Sequence, residues 1–194
     1  MMKELSPTAA KIADIAEHFI QSRGYNGFSF RDIQDALGIK TASIHYHFKT
    51  KQDLAKAVFE RYLVRYKLIL DKIEQDQESA EARLDALANL FILTRDDDKL
   101  CLCGMYASDY RSLDSELSFT LNRFVEINEA WIEKVVKLGV DSGELSAQNN
   151  PKDIAKVYFS ALEGSTLLAQ FKDSSYIQEV KTVFLNSLKT GSFS

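Results

Sequence analysis

Gly27-Phe28-Ser29-Phe30-Arg31-Asp32-Ile33-Gln34-Asp35-Ala36-Leu37-Gly38-Ile39-Lys40-Thr41-Ala42-Ser43-Ile44-His45-Tyr46-His47-Phe48-Lys49-Thr50-Lys51 is the stretch on which the fold turns. It reads as two short helices joined by a tight glycine turn. Ser29 is suited to accept a hydrogen bond from the first orphan N–H groups of a helix, and Asp32, three residues on, completes a capping box. Ile33, Ala36 and Leu37 then fall on one face at spacings of three and four. Gly38 is free to take the left-handed conformation that stops the helix, and Ile39 behind it fills the space between the pair. The second helix, Thr41 to Phe48, puts Ile44 and Phe48 on its buried side. Thr41, Ala42, Ser43, His45 and Lys49 are left on its other faces.

The charge of this stretch sets it apart. The 17 residues from Ala36 to Gln52 contain three lysines and no acid, in a chain of 194 residues with net charge −4. Residues 1–55 hold seven Lys/Arg against six Asp/Glu, and the remainder holds 17 against 22. A locally basic segment in an acidic chain suits a polyanion. A short amphipathic helix with small polar residues at its N-terminus is the kind that approaches base edges and phosphates.

The rest of the chain also reads as helix. There are two prolines, and Ser6-Pro7 and Asn150-Pro151 each pair a capping residue with proline at a first helical position. The spacing predicts a helix from Pro7 to about Arg23, burying Ile12, Ile15, Ala16, Phe19 and Ile20 and stopping at Gly24. A long helix from about Thr50 to Ile73 carries Leu54, Val58, Tyr62, Tyr66, Ile69 and Ile73. Glu74 to Glu81 reads as a loop. Leu84, Leu87, Ala88 and Phe91 stripe the next helix, which ends in a charged turn from Arg95 to Lys99. Leu117, Leu121, Phe124, Asn128, Trp131, Val135 and Leu138 form a heptad-like seam that ends near Gly143. Two more helices, about 151–172 and 175–189, close the chain. No strand pattern, internal repeat or low-complexity tract is present. No apolar run approaches the roughly 20 residues of a membrane span, and the start has no signal-peptide core. The expected location is the cytoplasm, with no membrane partner.

The wording of the opening segment goes further than its pattern. Phe30-Arg31-Asp32-Ile33, Leu37-Gly38-Ile39, Ser43-Ile44-His45-Tyr46-His47-Phe48 and Lys51-Gln52-Asp53-Leu54 resemble the N-terminal DNA-binding domain of the TetR family of bacterial transcriptional regulators. The resemblance covers residues 7 to about 60 and is architectural beyond that. It implies an all-α protein with a three-helix helix-turn-helix DNA-binding domain over residues 1–50. An all-helical effector-binding and dimerisation domain over 51–194 follows, with the helix from about 50 to 73 linking the two. By the same resemblance Thr41, Ala42, Ser43 and His45 face bases, and Tyr46 and His47 face phosphates. Arg31 reaches a base or a phosphate, and Lys51 anchors a phosphate. Many relatives have tyrosine where this chain has His45. The chemistry agrees, since hydroxyls and imidazoles donate to phosphate oxygens and Ala42 leaves room for a thymine methyl. If Lys51 is such an anchor, Lys51→Ala should lower the salt slope of binding by about one unit.

One head contacts only a few base pairs, so the resemblance implies a homodimer on a double-stranded palindromic operator, released by a small-molecule inducer. The last two helices are the candidate interface. Ala155, Phe159, Leu162 and Leu168, with Ala161, Gly164 and Ser165, stripe one of them; Ile177, Val180, Phe184 and Leu188 stripe the other. The same stripes are equally suited to packing inside one subunit. Phe91, Met105, Phe124, Asn128, Trp131, Phe159 and Glu163 are candidate effector contacts, with Phe119 and Tyr106 among the bulky apolar residues nearby, and all the apolar ones read equally as plain core.

Cys101 and Cys103 leave two readings open. One is a pair of small core residues. The other is a thiol sensor of oxidants or electrophiles. Residues two apart on a helix point about 200° apart, so the two thiols should not pair with each other. No metal site and no cofactor motif is evident. All three histidines lie before Phe48, and there is no P-loop, dinucleotide fingerprint or nucleophile elbow, so an enzyme is not expected. A helix-turn-helix adaptor that does not bind DNA is the remaining alternative, and would show weak, salt-insensitive DNA association.

Overall fold

The computed structural model describes residues 5–146, 148, 150–173 and 175–191. Within them the chain is helical throughout and contains no strand. Nine α-helices run in order: α1 Pro7–Arg23, α2 Phe30–Leu37, α3 Thr41–His47, α4 Lys51–Asp76, α5 Ala80–Asp96, α6 Leu102–Ser108, α7 Ser115–Asp141, α8 Pro151–Leu168 and α9 Tyr176–Thr190. The helix starts follow local chemistry. Ser6 accepts from the Ala9 amide ahead of Pro7, and Asn150 accepts from the Lys152 amide ahead of Pro151. These bonds satisfy N–H groups that the helix itself leaves orphaned.

The chain divides into two compact units. The first runs to Arg65 and takes in Leu102–Asn122; the second comprises Tyr66–Cys101 and everything from Arg123 on. Compactness therefore divides the chain elsewhere than at residue 50, because the start of α4 and all of α6 pack with α1. Arg61 bonds Asp14 at 2.7 Å and Arg65 bonds Glu17 at 2.5 Å, both from α4 to α1. The buried Tyr106 of α6 donates to the Ala55 carbonyl at 2.9 Å, and burial raises its phenol pKa well above the usual value.

Inside α4 the buried stripe is Leu54, Val58, Phe59, Leu63, Tyr66, Leu70 and Ile73. The expected positions Tyr62 and Ile69 each sit one residue short of it; Tyr62 is half-buried and Ile69 exposed. Both alternatives are apolar, so the local pattern could not choose between them. The helix also continues to Asp76, leaving only Gln77–Ser79 between α4 and α5.

In the second unit α5, α8 and α9 pack together. Tyr158 donates to the Leu84 carbonyl at 2.9 Å and stacks on Phe184 at 4.5 Å between centroids. Glu144, after α7, caps α5 from a distance: its carboxylate accepts the Ala80 and Glu81 amides at 2.8 and 2.7 Å. A carboxylate at a helix N-terminus also meets the positive end of the helix dipole. Lys181 of α9 is buried, with its ammonium 2.7 Å from Asp85 and 2.9 Å from Asn89 Oδ1, both on α5. In the charged turn Asp98 takes a positive φ of 57° and pairs with Arg95, while Asp97 pairs with Lys99.

Of the two readings open for the stripes of α8 and α9, packing inside one subunit holds for most of their residues. Ala155, Phe159, Leu162, Ser165, Ile177, Phe184 and Leu188 are buried within this one chain. Part of the α8 stripe stays outside, joined by residues that were not in it. On α8, Val157 and Leu168 are exposed, and Ala161 and Gly164 between them are half-buried. Beyond α8, Phe171 is 72% exposed; on α9, Val183 is 55% exposed. Residues 157, 161, 164 and 168 are spaced four, three and four apart and so form one continuous face. No helix of the described residues is long and apolar enough to cross a membrane.

Candidate nucleic-acid interface

The first unit builds its outward helix from the inside. Asp32 accepts from both the amide and the hydroxyl of Ser29, at 2.7 and 2.5 Å, which lowers its carboxyl pKa and fixes the start of α2. Gly38 ends α2 at φ 66° and ψ 27°, where a side chain would be strained, and its amide bonds the Gln34 carbonyl at 2.8 Å. α3 has no capping side chain of its own, because its N-cap is Lys40. Gln34 supplies the cap from α2: its Oε1 accepts the Thr41 amide at 3.1 Å and the Thr41 hydroxyl as well. Sequence reading passed over Gln34, although a carboxamide one turn before the glycine stop is the available signal.

Ile44 and Phe48 are buried, as expected, and they roll the opposite side of α3 outward. Ala42 and His45 are exposed, Thr41, Ser43 and His47 half-buried, and Tyr46 is 84% exposed. Tyr46 thus has no part in the head core. Its ring meets His47 edge-on at 5.0 Å. His45 lies edge-on to Phe30 at 4.9 Å, with Nδ1 3.2 Å from the Lys49 carbonyl. A proton on Nδ1 donates to that carbonyl and leaves Nε2 for a partner outside. Arg31, on α2, is exposed.

Lys51 behaves differently. Its ammonium turns inward, donates to the Phe28 carbonyl, and lies 4.3 Å over the Phe28 ring and 4.8 Å over Tyr25. Burial lowers its pKa, against the opposing pull of Asp109 and Asp32. The same loop is held from α6 onward: Asp109 accepts the Asn26 amide at 3.1 Å and its carboxamide at 2.8 Å, and Asn26 also donates to Ser112 at 3.0 Å. Gly24, at φ 86°, brings the backbone so close that a Cβ would stand 3.1 Å from Asp109 Oδ2. Neither Asp109 nor Tyr25 was picked out by the sequence.

The proposed effector residues fall into two groups. In the second unit Phe159 meets Phe91 at 6.4 Å and Phe124 at 6.1 Å, and Phe124 meets Tyr66 at 4.7 Å. Asn128 is fully buried but already served: Oδ1 accepts from Tyr66 at 2.5 Å and Nδ2 donates to the Phe124 carbonyl at 2.9 Å. Trp131 Nε1 and Glu163 Oε1 are buried without a hydrogen-bond partner. Met105 belongs to the first unit, where its Cε packs at Gly24. Cys101 and Cys103 are both buried, and the Cys101 thiol hydrogen-bonds the Glu163 carboxyl. No cluster of three or more metal-ligating side chains occurs among the described residues.

This architecture has known counterparts. Residues 9–58 match the family described as "Bacterial regulatory proteins, tetR family". A TetR transcriptional regulator from Legionella pneumophila, known from its crystal structure, is 31% identical. It aligns over 96% of this chain and 100% of its own, with a TM-score of 0.84. The HTH-type transcriptional regulator CymR of Pseudomonas putida is 26% identical over 90% of this chain and 85% of its own length. The icaADBC negative transcriptional regulator IcaR of Staphylococcus aureus (strain Newman) is 24% identical over 91% and 75%. With a helix-turn-helix head in place and similarity running along the whole chain, the protein belongs to the TetR family and is a DNA-binding transcriptional regulator.

Proposed function

We propose that this regulator is a repressor that occupies a palindromic operator as a homodimer and is released by a small molecule bound in its second unit. The observation that carries the reading is the outer face of α3, where Ala42, His45 and the strongly exposed Tyr46 stand opposite the buried Ile44. A short helix with such a face serves a surface outside the protein. We assign base contacts to Ala42, Ser43 and His45, phosphate contacts to Tyr46 and His47, and a base or phosphate contact to Arg31. Thr41 engages DNA only after sharing its hydroxyl with Gln34.

Selection of random duplexes on purified protein tests the reading. The expected winners are palindromes with half-sites roughly 34–36 Å apart, one helical turn, or a multiple of that. Enrichment of no palindrome would overturn it. Lys51 is a positioning residue in this account, since its ammonium ties Phe28 and Tyr25 to the start of α4. Lys51→Ala should weaken binding to every duplex and leave the salt slope unchanged; a slope lowered by about one unit would make it a phosphate contact instead.

The face of Val157, Ala161, Gly164 and Leu168, with Val183, supports the dimer. Close helix approach through small residues, flanked by exposed apolar ones, suits a symmetric four-helix interface. Val157→Glu combined with Val183→Glu should convert the protein to a folded monomer in sedimentation and abolish tight operator binding. A double variant that still sediments as a dimer would place the interface elsewhere.

A further inference from the structure

Resting on the reading of the second unit as the effector domain, we propose that Glu163 is the polar anchor of the effector and that the effector is an amine carried on an apolar body. Among the described residues only two buried side-chain polar atoms lack a hydrogen-bond partner, Trp131 Nε1 and Glu163 Oε1. Buried polar atoms are nearly always satisfied, so each calls for an explanation. Glu163 is half-buried as a residue, but Oε1 itself is sealed from solvent.

The two orphans do not form one site. Tyr158 meets Leu84, and Arg95 reaches the Ala169 carbonyl, so α8 runs parallel to α5. The start of α5 packs beside Gly139 near the end of α7 while Phe91 joins Phe124 through Phe159, so α7 runs antiparallel to both. From the Phe124–Phe159 contact, Trp131 lies seven residues along α7 and Glu163 four residues along α8, in opposite directions. At 1.5 Å per residue they stand roughly 16 Å apart along the helix axes. Glu163 is therefore the anchor on its own.

Its surroundings select the partner. Glu163 follows Phe159 by one turn on the same face of α8, and Phe159 in turn meets the rings of Phe91 and Phe124. Those rings carry no charge but attract a cation over their faces. On the segment before α6, the Cys101 thiol donates to the carboxyl, which keeps it an acceptor. On α9 the buried Lys181 is engaged by Asp85 and Asn89, and on α5 Arg95 is engaged by Asp98 and the Ala169 carbonyl. A donor with positive charge is what completes this group, whereas a carboxylate ligand would meet a like charge. Burial raises the Glu163 pKa to about 7, so an amine captures the ionised form and drives off a proton.

Benzylamine, benzyl alcohol and benzoate share one ring and differ in charge, and titration calorimetry with the full-length protein compares them. Benzylamine should bind best, tightening roughly tenfold per pH unit below about 7 and levelling off above. Glu163→Gln, nearly isosteric, should weaken benzylamine by on the order of tenfold or more and remove the pH dependence. The order of the three ligands on the unmutated protein tests the proposal even if the variant folds poorly. Benzoate or benzyl alcohol binding as well as benzylamine, no binding of benzylamine, or equal benzylamine affinity in Glu163→Gln would each overturn it. A selected operator duplex separates this from the switch itself. Benzylamine that binds without releasing DNA keeps the anchor and refutes the switch, and release by benzoate alone keeps the switch and refutes the anchor.

Discussion

Replacing Asp85 with alanine should lower the unfolding free energy by about 3 kcal/mol, whereas replacing Lys181 with methionine should change it by no more than about 1 kcal/mol. The asymmetry follows from where the two charges sit. The Lys181 side chain is 7% exposed and Asp85 40%, with 2.7 Å between them. Removing the carboxylate strands an ammonium in the α5–α9 packing with only Asn89 Oδ1 to accept from it. Removing the ammonium instead leaves a carboxylate that water already reaches, and methionine keeps the buried stem packed. Urea unfolding of both variants measures the difference. Equal losses in the two would show that the pair contributes by contact area and not by charge.

The second large effect is a pH dependence of stability that Glu163→Gln should erase. Burial raises the folded-state pKa of Glu163 from 4.5 to about 7. Between those values the native protein holds a proton that the unfolded chain has released, so stability falls as pH rises through the window. A shift of that size corresponds to on the order of 3 kcal/mol across it. Asp32 works in the opposite direction: its lowered pKa gives stability that is present above the usual carboxylate range and lost on acidification. The difference between the unmutated protein and Glu163→Gln isolates the buried group. Parallel stability curves for the two between pH 5 and 8 would show that Glu163 does not titrate in this window.

Much of the fold was legible because the signals that place helix ends are local. Ser6-Pro7, Asn150-Pro151, Ser29 with Asp32, and Gly38 each act within about four residues, and each marks a helix end where expected. The seam of α7 was readable as far as Val135, with Leu138 alone turned outward. Legibility failed where two apolar faces compete on one helix. On α8, Phe159 faces in and Val157 out, and only the partners on α5 and α9 decide which. It failed again at Lys51, whose direction is set by Tyr25 and Phe28 in another part of the chain, and at Lys181, which completes a buried stripe through Asp85. The outward residues of α3 were readable because the motif fixes its inner face through Ile44.

The Gln34 cap has a consequence for retargeting this regulator to a new operator. The pitch of α3 is set from α2 by a carboxamide that grips Thr41, so residues that read bases inherit their aim from one that reads none. Transplanting residues 41–47 from a relative with another specificity would carry over the side chains without the aim. A faithful transfer moves position 34 together with position 41, as a single unit of inheritance.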